Sequence, residues 1–139
     1  MLIACAHCLT TNRVPDERLQ DDPVCGRCGR ALLDGQPVEL GDANFDAVTG
    51  KTGLPVVVDF WAAWCGPCRV MAPQFAQAAR ELKGRALFVK VDSDANPRTA
   101  ARFAIRSIPT MVMLRGGAEV KRQSGALQAA QIALWVTVT

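Results

Sequence analysis

Val56-Val57-Val58-Asp59-Phe60-Trp61-Ala62-Ala63-Trp64-Cys65-Gly66-Pro67-Cys68 runs from an apolar strand pattern through a C-x-x-C turn into a helical one. Pro55 to Trp61 is apolar except for Asp59, as in a strand covered on both faces. Residues 66 to 82 follow with helical spacing. Val70, Phe75, Ala78, Ala79 and Leu82 are expected toward the core, Pro73 should kink the helix, and Gly84 should end it. A strand feeding a helix through a tight turn is the unit of an α/β fold.

The same alternation continues on both sides. Before it, Val38 to Leu40 reads as a short strand, with Asp42 as the cap of a helix over Ala43 to Val48 ended by Gly50. After it come a strand at Ala86 to Val91 and a helix from Asn96-Pro97 through Phe103, with Asn96 as cap and Pro97 at the first position. Thr110 to Leu114 and Glu119 to Gln123 flank Gly116-Gly117, a hairpin signal. Leu127 to Val136 is a last helix, with Leu127, Ala130 and Leu134 on one side and a β-branched ending expected to fray. The order predicts a mixed sheet with helices on both faces.

Composition narrows the partners. The 139 residues are 50% hydrophobic and 21% charged, with a net charge of +3, too small a bias for nucleic acid or an anionic membrane as the main partner. No apolar run reaches the ~18 residues of a membrane span. Nothing resembling a basic segment and apolar stretch precedes Met1-Leu2-Ile3-Ala4-Cys5, so the chain reads as untargeted and cytoplasmic, and a monomer is expected. In that compartment cysteine spacing points to metal or catalysis before a structural disulfide framework.

Six cysteines form three C-x-x-C pairs. Cys5/Cys8 and Cys25/Cys28 lie in a polar segment without clear periodicity, sixteen residues apart, and match the spacing of a four-thiolate zinc site. One structural zinc ion is therefore predicted. Gly26 and Gly29 suit the second knuckle, since glycine tolerates positive φ. His7, the one histidine, reads as a solvent-facing spacer, because four cysteines already complete the site. Residues 1–34 carry four Arg against five acids, a net −1 that lacks the footprint of a nucleic-acid-binding ribbon. Asp34-Gly35-Gln36-Pro37 reads as a linker, dividing the chain into a zinc module, 1–34, and a domain, 35–139.

The third pair differs. Cys65 and Cys68 join a buried strand to a helix start, where unpaired N–H groups and the helix dipole favour a thiolate at Cys65. Cys68, one turn in, is expected to be the less exposed. Their separation allows a reversible disulfide. Asp59, the one charge in its strand, is costly to bury unless used or paired, and burial should raise its pKa.

Val58 to Cys68 resembles the active-site signature of the thioredoxin family, and the likeness continues through Pro73, Lys90, Asp92, Ile108-Pro109-Thr110 and Gly125. With the two knuckles in front, the chain resembles the zinc-containing bacterial thioredoxin 2 type. The resemblance implies a thioredoxin fold and a general protein disulfide reductase. It implies that Cys65 attacks the substrate disulfide, that Cys68 resolves the mixed disulfide, and that Asp59 takes the Cys68 proton with Lys90 nearby. Trp64, Gly66, Pro67, Ile108, Pro109, Gly125 and Ala126 would form the docking patch, with Ile108-Pro109 in cis, and Trp61 is assigned to the core. The implied partners are disulfide-bearing client proteins and an NADPH-dependent flavoprotein, thioredoxin reductase. The flavin and nicotinamide thus belong to the partner and not to this chain. An exported oxidant or isomerase, and a zinc-ribbon adaptor whose domain only binds, are the other readings. Intact Cys65 and Cys68 argue against the adaptor.

Overall fold

The computed structural model describes residues 1–138; the last residue of the expected C-terminal fray, Thr139, lies outside them. Two short strands open the chain, β1 (Leu2–Ala4) and β2 (Thr11–Arg13), paired antiparallel. There follow β3 (Val38–Glu39), α1 (Phe45–Thr49), β4 (Val56–Trp61), α2 (Gly66–Glu81), β5 (Leu87–Asp92), α3 (Pro97–Arg102), β6 (Thr110–Arg115), β7 (Ala118–Ser124) and α4 (Ala129–Thr137). The main sheet has the order β3-β5-β4-β6-β7. Strands β3, β5 and β4 run parallel, β6 pairs antiparallel with β4, and β7 antiparallel with β6. The sheet is mixed, as the alternation predicted.

Side-chain alternation sorts the sheet into two faces. Val57, Phe88, Met111 and Met113 pack on Met71, Phe75 and Ala78 of α2 and Ile132 of α4. Val56, Val58, Phe60, Val89, Val91 and Val112 face the other way, against Phe45, Val48 and Phe103. Position 59 shares parity with 57, so Asp59 lies under α2.

The buried stripes of the helices differ from the expected ones. Val70 is 69% exposed, because the apolar row of α2 is Met71, Phe75, Ala78 and Ala79, continued by Leu82, and Val70 sits about 100° off it. In α4 the buried residues are Ala129, Ile132 and Val136, which leaves Ala130 and Leu134 outside. Helix α2 runs through Pro73 unbroken.

The loops before α1 and α3 exchange side-chain hydrogen bonds. Asp42 does not cap α1; its carboxylate accepts from Thr99 N (2.8 Å), Thr99 Oγ1 (2.6 Å) and Arg98 N (3.3 Å), closing the start of α3. Asn96 precedes α3 but turns its Oδ1 to Asp42 N, 2.9 Å away. Helix α1 starts after Asn44. Sequence neighbours alone suggest local caps, whereas packing brings the loops before α1 and α3 together.

The N-terminal ribbon forms its two knuckles with one geometry. Leu9 N donates to Cys5 O and Gly29 N to Cys25 O, both at 2.9 Å, and both residues have positive φ, 66° and 77°. The positive φ falls at position 29, not at 26, and in the first knuckle Leu9 adopts it without glycine. The ribbon shares one core with the domain: Ile3, Cys5, Leu32 and Leu33 pack in the cluster of Leu40, Phe45, Val48 and Leu54. The core thus crosses the expected boundary at residues 34/35. Leu82, not Gly84, is the C-cap of α2; Gly84 (φ +76°) lies two residues beyond, where a Cβ would meet the carbonyl oxygen of Leu19 at 2.8 Å.

Candidate active site and metal centre

The turn after β4 places Cys65 at the N-cap of α2, with Pro67 in the first turn where its missing N–H costs no hydrogen bond. Cys68 N donates to Cys65 Sγ at 3.2 Å. Cys65 and Cys68 are joined in a disulfide, their Cα atoms 5.2 Å apart. This N–H and the helix dipole both favour negative charge on Cys65 Sγ once the disulfide opens. The two sulfurs do not differ in exposure as expected: Cys65 is 4% and Cys68 3% accessible. They differ in outlook. Cys65 lines a surface groove of about 500 Å³, and Cys68 is not among its walls.

The groove brings Trp64, Gly66, Pro67 and Ile108 together with Cys65. The Ile108-Pro109 bond is cis, and the Ile108 carbonyl oxygen lies 3.8 Å from Cys65 Sγ. Gly125 is not a groove wall, but its N–H donates to Pro109 O at 2.9 Å, and its φ of +95° suits glycine. Asp94 and Arg106, which the sequence did not single out, also line the groove. Asp94 Oδ2 accepts from Trp64 Nε1 at 2.7 Å, which steadies an indole that is 68% exposed. Loop residues of this kind carry no periodic or spacing signal in a single sequence.

On β4, Asp59 is fully buried and neither carboxylate oxygen has a hydrogen-bond partner among the described residues. Burial pushes its pKa up to about 7, against the pull of the Lys90 cation and with a further push from Glu39. Lys90 is its register partner on β5. The Lys90 ammonium lies over the Trp61 ring, 4.6 Å from the centroid, and Trp61 packs beside Cys65 and Cys68 rather than deep in the core.

Cys5, Cys8, Cys25 and Cys28 meet in the ribbon, all four sulfurs within 4.8 Å of one another. Cys5 and Cys28 are 3.6 Å apart and Cys8 and Cys25 3.5 Å. Thiolates ~2.3 Å from a tetrahedral zinc stand about 3.8 Å apart, so the donor set and its size fit that ion. N–H groups of Cys28 and Arg27, with Asn12, hold the Cys25 thiol down to about 6. The exposed His7 turns Nδ1 to Arg30, 3.0 Å away, and is not in the cluster.

A mixed sheet with a C-x-x-C disulfide at a helix N-terminus beside a cis-proline, and a buried carboxylate on the strand before it, defines a thiol–disulfide oxidoreductase. The thioredoxin family matches residues 36–138, and the zinc-ribbon family described as Thioredoxin 2, N-terminal, matches residues 4–30. The chain is 47% identical over 136 residues to Thioredoxin C-3 of Corynebacterium nephridii, covering 98% of this chain and 93% of that protein. It is 45% identical over 92 residues to the bifunctional thioredoxin reductase/thioredoxin of Mycobacterium leprae, covering 66% of this chain and 20% of that protein. Chloroplastic thioredoxin z superimposes with a TM-score of 0.66 at 33% identity, over 73% of this chain and 91% of that one. The chain belongs to the thioredoxin family and is a protein disulfide reductase, with the Cys65–Cys68 pair in the active-site position and a metal-binding ribbon in front.

Proposed function

We propose that Cys65 is the nucleophile and Cys68 the resolving thiol of this reductase, with Asp59 as the proton carrier between them. The observation that carries this is the outlook of the two sulfurs: Cys65 borders the groove and Cys68 does not. The Cys65 thiolate attacks one sulfur of a client disulfide; a Cys65–client bond forms as the client S–S bond breaks, and the departing client thiolate takes up a proton. Asp59 then accepts the Cys68 proton, Cys68 attacks Cys65 Sγ, and the second client thiolate leaves as the Cys65–Cys68 bond forms. Two electrons pass to the client. Lys90, on the adjacent strand, moderates the charge on Asp59.

Client segments dock on Trp64, Gly66, Pro67 and Ile108 of the groove, with Pro109 and Gly125, joined by a hydrogen bond, completing the patch. An NADPH-dependent flavoprotein reductase returns the two electrons, a partnership supported by the bifunctional thioredoxin reductase/thioredoxin of Mycobacterium leprae. One structural zinc bound by Cys5, Cys8, Cys25 and Cys28 would cross-link a ribbon too small to hold itself together. The chain works as a cytoplasmic monomer, and its zinc module, 1–34, tunes the reduction performed by 35–139.

The test is a pair of variants. Cys68→Ser should retain attack and accumulate the mixed disulfide with a client protein, whereas Cys65→Ser should neither turn over nor trap. Accumulation with Cys65→Ser instead would reverse the two roles.

A further inference from the structure

Three charged side chains stand in one row across three strands. Glu39 on β3 pairs with Lys90 on β5, and Lys90 pairs with Asp59 on β4, so all three project from the same face of the sheet. Among the described residues Lys90 forms an ion pair with neither carboxylate; its ammonium rests over Trp61 instead. Two carboxylates therefore share one cation that belongs to neither. Asp59 is sealed in the core, while Glu39 is exposed at the sheet edge, in a cleft also lined by His7, Asp34 and Lys83.

Resting on the reading of Asp59 as proton carrier, we propose that Glu39 is a positioning residue of the dithiol site: as the second carboxylate on Lys90 it offsets that cation's pull on Asp59, so that Asp59 keeps a proton to exchange with the cysteines near neutral pH.

The surroundings leave Glu39 and Lys90 as the groups that can do this. Met71, Phe75 and Ala78 of α2, Ile132 of α4 and Met111 of β6 form the rest of this face and are uncharged. Asp92, the next acid along β5, acts on Glu39, and Cys65 and Cys68 are the titratable groups that the reduced site adds. Glu39 raises the proton affinity of Asp59 through space, and Lys90 lowers that of both carboxylates. With Lys90 alone in the row, Asp59 would ionise earlier and lose strength as a base.

The experiment is a carboxyl NMR titration of Asp59 in the oxidised full-length protein, with and without Glu39→Gln. Two interstrand spacings separate the outer strands, about 10 Å, so removing the Glu39 charge should lower the Asp59 midpoint by about half a pH unit. The optimum of mixed-disulfide release should move to lower pH with it, and Glu39→Asp should restore both. Asp34→Asn, which removes a charge from the same cleft but not from the row, should leave the midpoint in place. An Asp59 midpoint unmoved by Glu39→Gln overturns the proposal while leaving the role of Asp59 intact. Release unaffected by Asp59→Asn strikes the proton-carrier reading, and with it the purpose assigned to Glu39, whatever the titration gives.

Discussion

The backbone N–H of Ala4 donates to Thr52 Oγ1 at 3.2 Å, bridging the ribbon and the loop before β4 across 48 residues of sequence. Thr52 is 2% exposed and spends its own hydroxyl proton on Val48 O at 2.8 Å, so α1, the loop after it and the metal-binding ribbon share one buried hydrogen-bond relay. Leu2 O accepts from Gly53 N at 2.8 Å beside it. Ala4 adjoins the ligand Cys5, so the ordering of the metal site is tied directly to α1 and its following loop.

Residues 35–139 expressed alone should fold and reduce protein disulfides within about tenfold of the full chain, ~1.4 kcal/mol of barrier. The dithiol, the groove and the Asp59 row all lie after residue 38. Stability should suffer, because Ile3 and Leu33 no longer cover Val48 and Leu54. Losing that burial costs about 2–4 kcal/mol, a drop of roughly 10–20 °C in Tm. Calorimetry and insulin reduction check the two halves, and an unfolded or inactive fragment would make the ribbon part of the fold or the site.

Metal analysis of the Cys65→Ser/Cys68→Ser double variant should find one zinc per chain, since the four ribbon sulfurs form a complete set without the dithiol. Cys5→Ser should lose the ion, as its buried sulfur has no room to be replaced by a solvent ligand. Chelation of the full chain should release the first thirty or so amides to hydrogen exchange ahead of the sheet. A double variant free of zinc refutes the assignment.

Asp59 should leave its mark on stability as well as on rate. Its folded pKa, about 7, stands above the unfolded value of 3.8, so the native state holds the proton more tightly. This contribution is fully present below about pH 4 and is lost as pH rises through 7, a swing of up to about 4 kcal/mol. Asp59→Asn should flatten that part of the pH–stability curve and exceed the wild type above pH 7, while slowing release of the mixed disulfide. Denaturant melts at pH 5 and pH 8 check the sign. Equal Asn-for-Asp gains at both would leave Asp59 without a buried proton.

Much of the fold was legible because its signals are local. The apolar run before Cys65, the glycine and proline at Gly66-Pro67 and the Gly116-Gly117 turn report backbone preferences that hold wherever the chain goes. Both metal knuckles and the redox pair were likewise set by spacing, since a C-x-x-C turn brings two sulfurs together by its own geometry. Where the reading failed, the cause was packing. Val70 and Leu134 are apolar and helical, but which of two adjacent stripes is buried depends on the sheet beneath them. Asp42 and Asn96 sit where local caps belong, and each serves the other's loop because the folded chain brings those loops together.

The amino-acid sequence by itself determined the element types, the Cys65–Cys68 dithiol and the four-sulfur centre, all built from residues a few positions apart or from turn chemistry repeated twice. Tertiary structure alone decided that Trp64 leans on Asp94, that Ile108 faces Cys65, that the ribbon core runs into the domain core, and that Glu39, Lys90 and Asp59 form one row. Those relations depend on strand order and register. Both are fixed by burial summed over the whole sheet, which no short stretch of sequence encodes.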